Sequence, residues 1–270
     1  LGERITDRGI GNGISLIIMV GIIARLPFAF FAELLEKVSA NTGGGILIFI
    51  VELVILFFVF VGGIALLQAV RKVPVQYAKR VIGNKQYGGV RQYIPLKLNA
   101  AGVMPIIFAQ ALMMVFLLLT QWEWSRGFAA AMTNYTGIWY NITFFVLVVA
   151  FTYFYTAVTV NPTMMAEDMR KNGGFIPGVK PGKKTAEFID NVMTRVTLPG
   201  SIFLGLIAIL PAFAMLCGVN NQFASFYGGT SLLILVGVVL DTLQQIESHL
   251  LMRHYDGLMK TGRLKGRSGM

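Results

Sequence analysis

Six stretches of this chain are long and apolar enough to cross a lipid bilayer, and that leaves very few folds open. A span needs about 20 mainly apolar residues, because a helix satisfies every backbone donor and acceptor within its own segment inside lipid. The runs cover residues 14–35, 46–70, 100–119, 140–160, 201–216 and 232–252. Only 13% of the 270 residues are charged, against roughly 25% in an ordinary soluble domain. The expected fold is therefore all-α, a polytopic transmembrane helical bundle.

The remaining charge is unevenly placed. Residues 71–99 carry seven Lys and Arg and no acid, and residues 163–200 carry six with four acids. Together with the lead-in 1–13 and the tail 253–270, these segments hold nearly all the basic residues behind the net charge of +10. Alternating sides at each span puts all four on one face, leaving Lys37, Arg126 and a few acids on the other. The positive-inside rule makes the rich face cytoplasmic. Six spans with both ends on one side also satisfy parity. Trp122, Trp124 and Trp139 cluster between the third and fourth spans as an interfacial aromatic belt would. The opening residues are charged instead of forming a signal peptide, and the chain starts at Leu1 without an initiator Met. It is expected to begin partway through a longer protein.

Little in the sequence points to covalent chemistry. One cysteine, Cys217, excludes an intramolecular disulfide and a multi-cysteine metal site. His249 and His254 lie at the end of the last span and in the tail, and no serine sits in a nucleophile-elbow context. The glycines of GIGNG and TGGG lack the strand-then-helix surroundings of a phosphate-binding loop. The expectation is no enzyme, no cofactor and no metal. Three charges fall well inside spans, Arg25, Glu52 and Asp241, and such charges call for a partner or a function. Arg25 and Glu52 occupy the same halves of consecutive spans and read first as a structural salt bridge across the hairpin and second as an ion pathway. Asp241 has Gln244, Gln245 and the tail cations to serve it. Gln110, in the middle of IIFAQALMM, suits either a bridge between helices or a functional position.

Thirteen basic residues in two loops exceed what topology requires. They read either as solvated loops or as a dock for something large and anionic, such as ribosomal RNA, an acidic protein or anionic lipid. Sparse intramembrane charge argues against an ion-coupled carrier. Proline-interrupted spans nevertheless keep a secondary solute transporter as the alternative class.

Several motifs converge on one family. GERITDRGIGNGIS before the first span, YAKR in the first basic loop, PLKLNAAGVMPIIFA into the third span and FYTA then NP at the end of the fourth are joined by GGFIPGVKPGKKTAEFID, VMTRVTLPG and GGTSLLI. In order and spacing, over nearly the whole chain, they resemble the SecY family, the central subunit of the bacterial Sec protein-conducting channel. The six spans resemble the fifth to tenth of that family's ten.

The resemblance implies an hourglass channel in the bacterial cytoplasmic (inner) membrane. It would conduct unfolded secretory proteins across and release membrane segments sideways into lipid. The aliphatic ring that closes such a pore maps to Ile14, Ile18, Ile107 and Ile234, and branched apolar side chains suit gating by dewetting. Ribosome or SecA docking maps to Lys79, Arg80, Lys85 and Arg91 in one loop and Lys180, Lys183 and Lys184 in the other. Lys180 stands where the family pattern has arginine, which keeps the charge and loses the bidentate fork. The third span resembles the lateral-gate helix, placing Gln110 there. The implied partners are SecE-like and SecG-like subunits, the SecA motor or ribosome, signal sequences and nascent polypeptides, and anionic lipids.

Overall fold

A computed structural model describes residues 2–8, 13–39, 45–77, 80–82, 85–87, 91–119 and 126–260. Helix α1 (Gly2–Arg8) leads into α2 (Gly13–Ser39), which forms a hairpin with α3 (Gly45–Gln68). Strands β1 (Val70–Tyr77), β2 (Arg80–Ile82), β3 (Lys85–Tyr87) and β4 (Arg91–Lys97) follow. Then come α4 (Met104–Leu119), α5 (Arg126–Thr133), α6 (Ile138–Thr159), α7 (Pro162–Lys171), β5 (Gly174–Phe175), α8 (Lys183–Leu216), α9 (Asn221–Ala224) and α10 (Gly229–Lys260). The structure is thus a helical bundle with a small sheet at one end.

Five of the described helical stretches are long and apolar enough to span a membrane: α2, α3, α8, one running from α6 into α7, and α10 as far as Met252. The remaining apolar run of the sequence, 100–119, forms α4, whose 16 residues reach about 24 Å. Residues 99–103 ahead of it form turns, and Pro105 occupies its first turn, where the missing N–H costs nothing. The run 201–216 is the second half of α8, which passes Pro199 and Pro211 without a break.

The central core joins α3, α4, α6, α8 and α10 through Leu66, Ile106, Met113, Phe144, Val148, Leu204, Leu232 and Leu233. Helix α8 lays Ser201, Gly205, Ala208 and Ala212 on one buried stripe. A Cβ at Gly205 would sit 2.7 Å from the Phe145 ring, so small residues let α6 approach closely, as in other membrane bundles. A second core sets Phe223, Phe226 and Tyr227 of the α9 region against Ala29, Leu26 and Phe30 of α2 and Leu53 of α3.

The described parts of the two basic segments are folded. β1 and β4 pair antiparallel from Val70↔Lys97 to Gln76↔Arg91, and β5 adds to β1 at Gln76↔Phe175 and Tyr77↔Gly174. Alternation along β1 sends Val73 and Val75 into a third core with Leu96, Met169, Ile176, Ile189 and Met193. A strand from the second basic segment therefore completes a sheet begun in the first. Helix α7, which supplies Met169, starts at Asn161, whose side chain accepts from the Thr163 and Met164 amides at 3.1 and 3.2 Å. Asn161→Ala is expected to cost about 1 kcal/mol. It should speed hydrogen exchange at those two amides while leaving the α6 amides protected.

Candidate functional site

Three cavities adjoin one another in the bundle. The first, about 600 Å³, lies between α2, α9 and the start of α10 and is bordered by Ile18, Ile22, Arg25, Phe28, Ser225 and Ser231. The second, about 250 Å³, shares Ser225 and Ser231 with it and adds Gln110, Tyr140, Asn141 and Pro211. The third, about 360 Å³, shares Gln110, Tyr135 and Tyr140 with the second and reaches Ile107 and Met114 on α4. Shared walls make these a series crossing from α2 past the head of α10 to α4 and α6.

Helix periodicity decides which side chains face that series. Ile14 and Ile18 are four residues apart, hence on one face of α2, and are 57% and 46% exposed. On α4, Ile106 is fully buried in the central core while its neighbour Ile107 is 41% exposed. On α10, Leu232 and Leu233 are core residues and Ile234 is half-buried. Ile18 and Ile107 border the cavities directly, whereas Ile14 and Ile234 sit on helices that wall them. Gln110 borders both the second and the third cavity.

The sheet end carries the basic residues. Arg80 and Lys85 lie on the β2–β3 hairpin, in the pairs Arg80↔Tyr87 and Ile82↔Lys85, and Arg91 opens β4. Lys79 lies outside the described residues. Lys180, Lys183 and Lys184 are exposed on the turn into α8 and in its first turn. That turn is closed by Gly182, whose φ of +101° no L side chain adopts easily, and by the Thr185 hydroxyl donating to the Lys180 carbonyl at 3.0 Å. Two lysines at a helix N-terminus add to the positive end of the macrodipole, at a cost of roughly 0.3–1 kcal/mol each. Such a placement weakens the helix and strengthens an anion-facing surface.

At the opposite end of α2 the sequence expectation needs correcting. Glu52 does not pair with Arg25: its carboxylate accepts from the Lys37 ammonium at 2.9 Å, and Glu33 stands 3.4 Å from the same nitrogen. Helix length is the reason. α2 continues to Ser39, so Glu33 lies about 9 Å before the helix end, Glu52 about 10 Å into α3, and Arg25 about 21 Å back at 1.5 Å per residue. In an antiparallel pair only Glu33 and its i+4 neighbour Lys37 are level with Glu52. Lys37 also donates to the Gly218 carbonyl at 2.9 Å. The Asn220 amide donates to Glu33 and its side chain to Glu36, both at 2.8 Å, and the Tyr227 hydroxyl donates to the Glu52 carbonyl at 2.7 Å. The cluster thus fastens residues 218–227 to the α2–α3 hairpin. Arg25 instead borders the first cavity, with no ion pair among the described residues.

Comparison with known proteins places these features in context. The family model described as SecY matches residues 1–243. Protein translocase subunit SecY of Mycobacterium bovis is 42% identical over 96% of this chain, that of Mycobacterium leprae 44% over 96%, and that of Chlamydia muridarum 41% over 99%. The chain spans 60% of the length of each of these relatives. Two solved structures share the fold, each at a TM-score of 0.61 over 92% of this chain. One is a protein conducting channel, 17% identical with 61% of its chain covered, and the other a SecY protein, 20% identical with 62% covered.

Proposed function

Because the chain belongs to the SecY family, we propose that its six spans form part of the pore-forming subunit of a protein translocase. This multi-pass membrane protein passes unfolded secretory chains across the bacterial cytoplasmic membrane and releases membrane segments sideways into lipid. The observation that carries the reading is the series of adjoining cavities, with Ile18 and Ile107 at its two ends and Arg25 as the one charged side chain along it among the described residues. A conduit for polypeptide needs wetted space and a removable apolar constriction, and no titratable relay. Ile14, Ile18, Ile107 and Ile234 supply the constriction in this reading. Gln110, bordering two cavities from α4, tunes sideways opening by lending polarity to the gate helix.

The sheet end faces the cytoplasm in this proposal, as the charge asymmetry requires. β5 joins both basic segments into one surface, so Arg80, Lys85 and Arg91 act together with Lys180, Lys183 and Lys184. Such a surface suits ribosomal RNA or an acidic face of the SecA motor, since phosphate contacts need charge and reach without base specificity. SecE-like and SecG-like subunits complete the assembly.

One cross-linker tests the conduit. Cys217 is free and exposed, so it is first replaced by Ser. A single cysteine at Ile107, in the chain assembled in membranes with its partner subunits, is then offered to a stalled secretory chain bearing a thiol-reactive probe. Ile107→Cys should cross-link and Phe57→Cys, on the exposed face of α3, should not. Equal labelling at both sites, or none at Ile107 during active translocation, overturns the pore assignment and favours a solute transporter.

A further inference from the structure

Arg25 stands well inside α2 and is exposed, with no ion pair or hydrogen bond among the described residues. A charge within a span is costly and is normally held by a partner or turned toward water. The carboxylates within reach of α2 are already engaged: Glu52 and Glu33 both face the Lys37 ammonium. Arg25 is left facing water.

Helix periodicity says which water. Ile18, Gly21, Ile22, Arg25, Phe28 and Ala29 follow the three- and four-residue spacing of one helix face, and all six border the cavity of about 600 Å³. Arg25 lies seven residues beyond Ile18, about 10 Å along the axis and two turns on. Gly21, one turn before Arg25, leaves it room, since a Cβ there would meet nothing within 4 Å. The polar groups that share the cavity, Gln222, Ser225 and Ser231, are uncharged, and the Ser225 hydroxyl is spent on the Gln222 carbonyl at 2.8 Å. Among the described residues, no acid borders this cavity or the two that adjoin it. One uncompensated cation therefore sets the sign of the field along the series, and apolar walls of low dielectric focus it.

We propose that Arg25 selects by charge among the segments of a passing polypeptide, resisting those rich in Lys and Arg and favouring those rich in Asp and Glu. The proposal deepens the translocase reading and rests on it for the substrate. Pores that prefer anions line themselves with Arg or Lys on the same principle. Two turns past Ile18, the guanidinium meets each side chain next to the constriction, where the passage is narrow and no protein counter-charge stands nearby. A single charge in wetted space biases passage without trapping the acidic segments it attracts.

The test uses the chain assembled in membranes with its partner subunits, with no membrane potential applied. Secretory substrates differ only in one short block, of lysines, glutamates or glutamines, and the rate at which each becomes protected from protease inside sealed vesicles is compared. The glutamate-to-lysine rate ratio should be roughly fivefold higher for the parent than for Arg25→Gln, the factor that one unit charge near contact distance gives in water. Arg25→Lys should keep the parent's ratio, and Arg25→Glu should push it below that of Arg25→Gln. The glutamine block should pass all four proteins at one rate, because Arg25 has no partner among the described residues whose loss would disturb the fold. An equal ratio in parent and Arg25→Gln, or a ratio raised by Arg25→Glu, overturns the proposal. So does a glutamine block slowed in Arg25→Gln as much as the charged blocks, which would make Arg25 a structural residue. A parent that passes none of the substrates fails the translocase reading and this proposal with it, whereas passage without charge preference fails this proposal alone.

Discussion

Replacing Lys37 by Met is expected to lower the stability of the folded chain by about 3 kcal/mol, the low end of the range for breaking a buried ion pair. The low end applies because the Lys37 side chain keeps 14% exposure while those of Glu33 and Glu52 keep 0% and 8%. Removing the ammonium leaves two carboxylates facing each other with no cation between them. Even with Lys37 present, Glu33 Oε1 and Glu52 Oε2 lack a hydrogen-bond donor, so no second donor stands ready to take over. The Gly218 carbonyl loses its donor as well, and that loosens the segment carrying Phe223 into the second core. Thermal unfolding in detergent micelles reads the loss. Two further variants separate charge from packing: Lys37→Arg should retain most of the stability, and Lys37→Met with Glu33→Gln and Glu52→Gln should recover most of it. A Lys37→Met protein that melts with the parent would show that the cluster contributes nothing.

That cluster also shows how far the sequence could be read. Glu52 announces itself, alone in a run of apolar residues, and a partner on the preceding span follows from the cost of an unpaired charge in lipid. The choice of Arg25 fails because the end of α2 is not visible in hydropathy. Glu33, Glu36 and Lys37 look like the polar margin of a span, yet the helix carries them to Ser39. The bundle itself was legible because apolar length is a coarse signal that tertiary context does not override. The strands were not. RKVPVQY and RQYIPLK alternate and are rich in β-branched and aromatic residues, but Pro74, Pro95 and dense charge mask the pattern. The β5 strand, two residues long, is set by its partner β1 and carries no signal of its own. Isoleucines 107 and 234 are the reverse case. The roles proposed for them are invisible to composition, because neighbouring Ile106 and Leu233 have the same chemistry and differ in facing the core.

Gly228→Ala is expected to have the other large effect, with consequences at the head of α10. Pro211, inside α8, has no N–H to give to the Ile207 carbonyl four residues back, and its ring crowds that carbonyl. The freed oxygen points at Gly228: a Cβ built there would lie 2.1 Å from it, with Pro211 Cδ at 2.9 Å and Leu210 Cβ at 3.2 Å. The nearest obstacle is backbone, so no rotamer change relieves the overlap, and α8 and α10 must separate. Overpacking of this kind costs about 3 kcal/mol, at the upper end of the usual range. The displaced element begins one residue later and carries Ser231, which borders two cavities, and Ile234. If the four isoleucines close the conduit, moving one of their helices should leave it leaky. Reconstituted Gly228→Ala should then pass ions at rest where the parent does not, in addition to melting earlier. Gly62→Ala is the matched control, since a methyl there meets nothing within 4 Å and Ala favours a helix interior over Gly by up to about 1 kcal/mol. Gly228→Ala that is both as stable and as tight as Gly62→Ala would show that the close approach of α10 to the Ile207 carbonyl has no bearing on the seal.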